Sequence, residues 1–152
     1  AIQALAKFPQ LTAKIVLGHN HPHKTSIQSA VTGHPRINLV ESCSDMAAAM
    51  AEADLALGVC GMNAWERCAI GLPSIVCIIA ENQRNDTHAL ERLGAIENLG
   101  DANKLLVDNW VAAISSVLCQ PARLALMGEA AQKVVNGYRE NLQLLIGLLA
   151  NK

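Results

Sequence analysis

A glycine-containing turn between a predicted strand and a predicted helix carries the first candidate chemistry. Residues 53–79 have the sequence ADLALGVCGMNAWERCAIGLPSIVCII, in which Gly61 precedes a helix predicted to begin at Asn63. The N–H groups of a first helical turn and the helix dipole together favour a phosphate or diphosphate. Glu66, one turn further on, could accept hydrogen bonds from two ribose hydroxyls. These residues fit a nucleotide site, but they also fit a plain helix start that Asn63 caps and in which Glu66 faces solvent.

Histidines form a second candidate cluster, at His19, His21 and His23. Alternate histidines suggest a metal site, to which His34 and His88 could add ligands. No cysteine or carboxylate stands beside them at the spacing of a zinc site, however. We therefore predict that they are loop residues, that the protein holds no metal and that it needs no cofactor.

Apolar runs alternate with segments of helical periodicity through the first two thirds of the chain. Strands are predicted at 13–18, 36–41, 53–59, 73–80 and 94–100. Helices are predicted between them at 25–31, 45–52, 63–70 and 85–93. Continuous apolar strands separated by helices indicate a parallel sheet covered on both faces. The sequence thus predicts an α/β protein with a parallel sheet of about five strands.

The last third of the chain is predicted to be helical. Amphipathic helices are expected at 103–119, 122–135 and 141–152. Because no linker, repeat or low-complexity tract interrupts the sequence, residues 1–152 are treated as a single domain.

Ligands in a doubly wound sheet bind beyond the carboxyl ends of the strands, where loops and helix N-termini meet. The loops at those ends lie at 18–23, 41–44, 60–63 and 80–83. Three of them are rich in glycine or polar residues, so we expect the binding site there.

Composition argues against several classes of function. The chain has 12 lysines and arginines, 13 acidic residues and a formal net charge of −1. This balance, without a basic cluster, argues against a surface for nucleic acid or for an anionic membrane. No apolar stretch approaches the ~20 residues that span a bilayer. The five cysteines are scattered in or beside apolar runs, which favours a reducing, cytoplasmic location.

A family resemblance is carried by residues 53–83, which extend the stretch quoted above to AENQ. This segment resembles the signature of the C-terminal half of GT-B sugar-nucleotide enzymes, in particular the UDP-sugar hydrolases of the pseudaminic acid pathway and spore-coat-type polysaccharide biosynthesis proteins. The matching residues are Asp54, Gly61, Trp65, Glu66, Arg67, Gly71, Leu72, Pro73, Ser74, Glu81, Asn82 and Gln83. The resemblance covers roughly residues 10–100 and implies a Rossmann-like GT-B C-terminal domain.

The resemblance also implies roles for loop residues. The implied nucleotide site consists of Gly18, Asn20, Val40, Glu41, Ser42, Gly61, Met62, Asn63 and Glu66. In it, the turn at 61–63 faces the diphosphate and the backbone at 40–42 contacts the uracil. Glu66 binds the ribose, as the equivalent glutamate does in the related peptidoglycan N-acetylglucosaminyltransferase. The implied sugar site consists of Glu81, Asn82 and Gln83.

No catalytic residue is predicted in this chain. Removal of UDP from a sugar needs a base or a positioned water, which the resemblance assigns to a separate N-terminal domain. The chain is therefore predicted to be the UDP-sugar-binding half of a nucleotide-sugar hydrolase, inactive by itself. The alternatives are the donor-binding domain of a UDP-sugar glycosyltransferase and a non-catalytic sugar-nucleotide-binding module.

The start of the sequence raises a further expectation. The chain opens on the helical pattern AIQALAKF, whereas the resemblance places a central strand before that helix. Without it, the strands at 13–18 and 55–59 would face each other across a gap with unpaired backbone groups. We expect the gap to be closed by direct pairing of these strands, by a second copy in a homodimer, or by the missing N-terminal part of a longer protein.

Overall fold

The structure is a computed structural model that describes residues 1–18 and 20–150, with side chains described as far as residue 137. Its strands are β1 (Ala13–Leu17), β2 (Ile37–Glu41), β3 (Ala56–Val59), β4 (Ser74–Ile78) and β5 (Ile96–Asp101). Its α-helices are α1 (Ile2–Leu5), α2 (Lys24–Val31), α3 (Met46–Ala51), α4 (Met62–Ile70), α5 (Arg84–Arg92), α6 (Val107–Leu118) and α7 (Pro121–Ala150). The predicted alternation of strands and helices is confirmed.

The five strands pair in parallel, but they form two sheets in the described part of the chain. β1 pairs with β2, from Ala13 opposite Ile37 to Leu17 opposite Glu41. β4 lies between β3 and β5 and pairs with both. Direct pairing of β1 with β3, one of the three expected ways to close the gap, is wrong for the described residues, because β1 bonds only to β2 and β3 bonds only to β4.

Helices cover both faces of β4, which is buried along its whole length. Val76 belongs to a core that includes Cys68 of α4 and Leu90 of α5. Ile75 and Cys77 belong to a second core, together with residues of α1 and α6. Because successive residues of a strand point to opposite faces, these two cores lie on opposite sides of the three-stranded sheet. The prediction of a sheet covered on both faces is confirmed for the three-stranded sheet.

The C-terminal part is helical, as predicted, but the helix bounds differ. The 3-10 helix Ala102–Lys104 precedes α6, which begins only at Val107. Pro121 begins α7, which then runs unbroken to Ala150 where two helices were expected. A glycine inside a helix costs about 1 kcal/mol relative to alanine, too little for Gly137 to end a helix that is packed along its earlier turns. Residues 151 and 152 of the predicted last helix lie outside the described residues.

Among residues 1–18 and 20–137, no single helix is long and apolar enough to cross a membrane. α6 and the part of α7 up to Gly137 reach that length and composition only as a pair, and they are bent by 96°. The inner face of α6 carries Trp110, Ala113, Ile114 and Val117, which are buried.

Candidate functional site

The turn between β3 and α4 lies at the carboxyl end of β3, beside the parallel strand β4. Gly61 is the N-cap residue, with extended backbone at φ −107° and ψ −159°, and its carbonyl accepts a hydrogen bond from Ala64 N–H at 2.8 Å. No side chain caps α4. Because the first N–H groups of a helix have no partner within it, an anion at this turn can take the place of a capping side chain.

Asn63 is not the N-cap that the sequence predicts, because α4 begins one residue earlier, at Met62. The extended backbone of Gly61 already provides the cap geometry, which places Asn63 inside the first helical turn. Both side chains are exposed, that of Met62 by 84%. The Asn63 amide is thus left at the surface of the turn, where it can contact a ligand.

Glu66 is exposed and lies one turn into α4. Met62 and Asn63 precede it by four and three residues, and side chains at these spacings lie on the same side of a helix. The structure therefore places the three predicted residues on one exposed face of α4, next to the uncapped N-terminus.

Arg67, in the last turn of α4, is a buried residue whose side chain reaches back to the end of β3, and the sequence analysis gives it no role. It is 8% exposed, and its Nη2 donates a hydrogen bond to the Val59 carbonyl at 2.8 Å. Its Nη1 lies near Gly58, where an added Cβ would be 3.8 Å away. Its Nε is buried without a hydrogen-bond partner. The available signal was its spacing, because Ala64 and Arg67 are three residues apart and share the inner face of α4.

The loops after β1 and β2 carry another group of predicted nucleotide residues. The Leu17 carbonyl accepts a hydrogen bond from Ser42 N–H at 3.2 Å, which joins the ends of the two strands. The Gly18 carbonyl accepts one from His21 N–H at 3.1 Å, so the loop carrying the exposed Asn20 turns directly after β1.

The side chain of Glu41 is held by α2. Its carboxylate accepts hydrogen bonds from Lys24 Nζ and from Gln28 Nε2, the latter at 3.0 Å. Ser42 follows with a left-handed backbone at φ 56°, and Val40 is half-buried in β2. Because Lys24 and Gln28 occupy the Glu41 side chain, residue 41 would contact a base through its main chain, which is the role that the resemblance implies for residues 40–42.

The predicted sugar residues form the 3-10 helix Glu81–Gln83, which follows β4. The Gln83 Oε1 accepts a hydrogen bond from Ile79 N–H at 3.2 Å, so this side chain supports its own loop. Asn82 is exposed. Of the three residues, Asn82 has the exposed side chain that neither pairs with Arg84, as Glu81 does, nor bonds to its own loop, as Gln83 does.

A cavity of about 460 Å³ lies beside this loop, at the carboxyl ends of β4 and β5. In its lining, Asp101 pairs with Arg84 at 2.7 Å and with Lys104 at 3.2 Å, and these cations lower the pKa of the Asp101 carboxyl. Glu81 also pairs with Arg84, at 3.2 Å. Two cations and two carboxylates balance, so the cavity suits a neutral polar ligand better than an anion.

The site residues thus lie on loops of both sheets. The turn at 61–63, with Glu66 in the helix that follows, and the loop at 81–83 come after the paired parallel strands β3 and β4, so they are neighbours at the carboxyl end of the three-stranded sheet. The residues at 18–20 and 40–42 follow β1 and β2, and no strand pairing connects these to β3 in the described part of the chain.

A metal site is not seen among the described residues, which contain no group of three or more histidine, cysteine or acidic side chains able to hold an ion. The rings of His21 and His23 are 5.9 Å apart and meet edge to face. His19 lies outside the described residues. The absence of a resident metal stays a prediction.

Comparison with known families gives one match that spans most of the chain. The description of the matching family is glycosyltransferase family 28 C-terminal domain, and the match covers residues 3–141. The chain belongs to this family. As a family 28 C-terminal domain, the chain has the Rossmann-like GT-B fold that the sequence analysis predicted. The crystal structure of Anabaena Alr3699/HepE in complex with UDP-glucose has the same fold. That structure matches at a TM-score of 0.74 and 18% identity, over 98% of this chain and 44% of the other.

Two curated proteins are similar to this family 28 domain in sequence. The spore coat polysaccharide biosynthesis protein SpsG of Bacillus subtilis is 27% identical over 112 residues, which are 73% of this chain and 33% of SpsG. A UDP-N-acetylglucosamine–N-acetylmuramyl-(pentapeptide) pyrophosphoryl-undecaprenol N-acetylglucosamine transferase of Acetivibrio thermocellus is 30% identical over 125 residues, 78% of this chain and 34% of the transferase. The chain therefore spans about a third of the length of these relatives.

Proposed function

We propose that this domain binds the UDP-sugar donor of a glycosyltransferase. The observation that carries the proposal is the uncapped N-terminus of α4 with Glu66 on the same exposed face. A diphosphate supplies the anion that this turn favours, and a ribose supplies the paired hydroxyls that a carboxylate one turn away can bind. Support comes from the family, whose similar proteins include a UDP-N-acetylglucosamine transferase and a structure with bound UDP-glucose.

The roles of the residues follow from their positions. The main-chain N–H groups of the turn at 61–63 bind the diphosphate, and Glu66 binds the ribose. The main chain at 40–42 contacts the uracil, with Gly18 and Asn20 on the neighbouring loop. The sugar lies toward the loop at 81–83, beside the charge-balanced cavity, because a neutral sugar needs no excess positive charge.

A transferase is favoured over the hydrolase that was the first expectation. The family description and the name of the Acetivibrio relative both specify glycosyl transfer. The hydrolase of the pseudaminic acid pathway and a non-catalytic binding module are the alternatives. A longer protein that releases UDP only when an acceptor is added is a transferase, and one that releases UDP into water alone is a hydrolase.

The remaining activity belongs to the whole protein, for which we propose a cytoplasmic enzyme of surface polysaccharide synthesis. An N-terminal domain would supply the catalytic base and the acceptor site. The 152-residue chain incubated with a UDP-sugar is then expected to release no UDP.

Titration calorimetry with UDP tests the binding proposal. Glu66→Ala is expected to weaken UDP binding about tenfold, or about 1.4 kcal/mol, because it removes hydrogen bonds to a charged acceptor. Glu129→Ala is the matched control, since Glu129 is an exposed glutamate on α7. Equal UDP affinities for wild type and Glu66→Ala would reject the role of Glu66, and no UDP binding by the wild type would reject the proposed function.

A further inference from the structure

Arg67 is a buried arginine that forms no ion pair with a carboxylate in the described part of the chain. Its one hydrogen bond there is to the Val59 carbonyl, and its buried Nε has no partner. Taking a guanidinium out of water costs much more free energy than one bond to a carbonyl recovers. Burial accordingly lowers the pKa of Arg67, more than nearby Cys60, Cys68 and Glu66 raise it.

The position of this charge links it to the α4 turn. Val59 is the last residue of β3, and Gly61, two residues later, is the N-cap of α4. The bond from Arg67 to Val59 therefore fixes the strand end from which the turn departs. The guanidinium and the uncapped N-terminus of α4 both favour negative charge at the same end of β3.

We propose that Arg67 is a positioning residue for the diphosphate of the donor. It holds the end of β3 so that the turn at 61–63 presents its N–H groups, and it adds a positive charge that the bound diphosphate neutralises. The inference rests on the proposed function and adds to it a side-chain positive charge beside the main-chain N–H groups of the turn.

A purely structural role is the alternative. Arg67 lies in the last turn of α4, where the helix dipole favours a cation, and its side chain fills space between α4 and β3. A structural arginine would affect the binding of every ligand to the same degree, through the stability of the fold. A diphosphate-positioning arginine would affect charged ligands selectively.

The test compares uridine, UDP and inorganic pyrophosphate as ligands of the wild type, Arg67→Gln and Arg67→Lys. Arg67→Gln is expected to weaken UDP and pyrophosphate binding tenfold or more while changing uridine binding less than twofold. The dependence of UDP affinity on salt concentration should also become shallower, because one cation fewer acts on the diphosphate. The UDP affinity of Arg67→Lys, which keeps the charge, should lie between those of the wild type and Arg67→Gln. Arg92→Gln changes an exposed arginine of α5 and should bind UDP as tightly as the wild type.

A spectroscopic measurement on the wild type needs no variant to fold. The Nε–H resonance of Arg67 in isotope-labelled protein should shift on addition of pyrophosphate but not of uridine. If the wild type binds UDP, either of two results would overturn the inference and leave the proposed function standing. One is an Arg67 Nε–H resonance that does not move when pyrophosphate is added. The other is an equal loss of uridine and UDP affinity in Arg67→Gln. If UDP does not bind, the proposed function fails, and pyrophosphate binding lost in Arg67→Gln would still support the anion site. A wild type that binds neither ligand would overturn both.

Discussion

Gly128 of α7 lies directly against Gly71 at the end of α4: a Cβ built on Gly128 would be 2.6 Å from the Gly71 carbonyl oxygen. Gly71 ends α4 in a left-handed conformation, at φ 72°. The two helices thus approach backbone to backbone at this point. Since α4 carries Glu66, Arg67 and the uncapped turn, the contact with α7 helps to fix the position of the candidate site.

Gly128→Ala is expected to destabilise the protein by about 1–3 kcal/mol, because the added methyl group would overlap a backbone oxygen that cannot move without shifting a helix. Gly137→Ala, in the same helix, is the matched control, since nothing lies within 4 Å of its added Cβ. That substitution should stabilise the protein by about 0.5–1 kcal/mol through helix propensity. Urea denaturation of both variants gives the measurement, and destabilisation of the same size in both would contradict the close contact.

Asp101→Asn is expected to lower stability in a pH-dependent manner. Hydrogen bonds from Arg84 and Lys104 lower the pKa of Asp101 below its ordinary value of 3.8, so these interactions stabilise the folded state when the carboxylate is charged. The stabilisation is complete at neutral pH, declines as the pH falls from about 4 and is lost below the folded-state pKa. The difference between wild type and variant in urea midpoint should therefore be largest near pH 7 and shrink toward about pH 2.

A double-mutant cycle with Arg84→Gln separates this pair from general charge effects. Asp101→Asn should have a smaller effect in the Arg84→Gln background, and Asp54→Asn, at an exposed aspartate, should have little effect in either. A difference that stays constant from pH 7 to about pH 2 would show that the carboxylate charge of Asp101 does not contribute.

The chain is expected to self-associate through its open sheet edges. β1 and β3 each pair on one side only among the described residues, and Ile15, Val16 and Leu57 on them are only partly buried. Open strand edges favour pairing with a further strand, and buried unpaired groups cost about 1–3 kcal/mol each. Sedimentation velocity over a range of concentrations should show a dimer. A version extended before Ala1 by a strand-forming segment should be more stable and monomeric.

The same sedimentation measurements, together with unfolding of both versions, can contradict the prediction of a dimer. A 152-residue chain that remains monomeric at all concentrations, unfolds cooperatively and is no less stable than the extended version would contradict the prediction that β1 and β3 take up a further strand.

Chelator treatment is expected to leave the thermal unfolding midpoint and UDP binding unchanged, because the loop with His21 and His23 lacks a carboxylate or cysteine at ligand spacing. Differential scanning calorimetry before and after chelation gives the comparison. One equivalent of zinc or nickel in elemental analysis of the untagged protein would contradict the prediction.

The sequence by itself determined the order and type of the elements. The run PSIVCIIA predicted a strand buried on both faces, and β4 is buried at all five positions. The predicted helix at 63–70 and strand at 73–80 leave Gly71 between them, and α4 ends there in the left-handed conformation that glycine adopts readily. These features follow from local backbone preferences and hydrophobic periodicity, which a sequence displays directly. The candidate loops could be predicted as well, because each of them directly follows a predicted strand.

Tertiary contacts decided what local preferences leave open. Asparagine is among the preferred N-cap residues, so the sequence predicts a helix that begins at Asn63. In the structure the extended backbone of Gly61 provides the N-cap, and α4 begins at Met62. Arginine is normally exposed, yet the packing of α4 on β3 buries Arg67 and directs it to Val59. The separation of β1 from β3 likewise depends on where distant segments lie in space. These features depend on contacts between residues far apart in the sequence, which no short segment of the sequence contains.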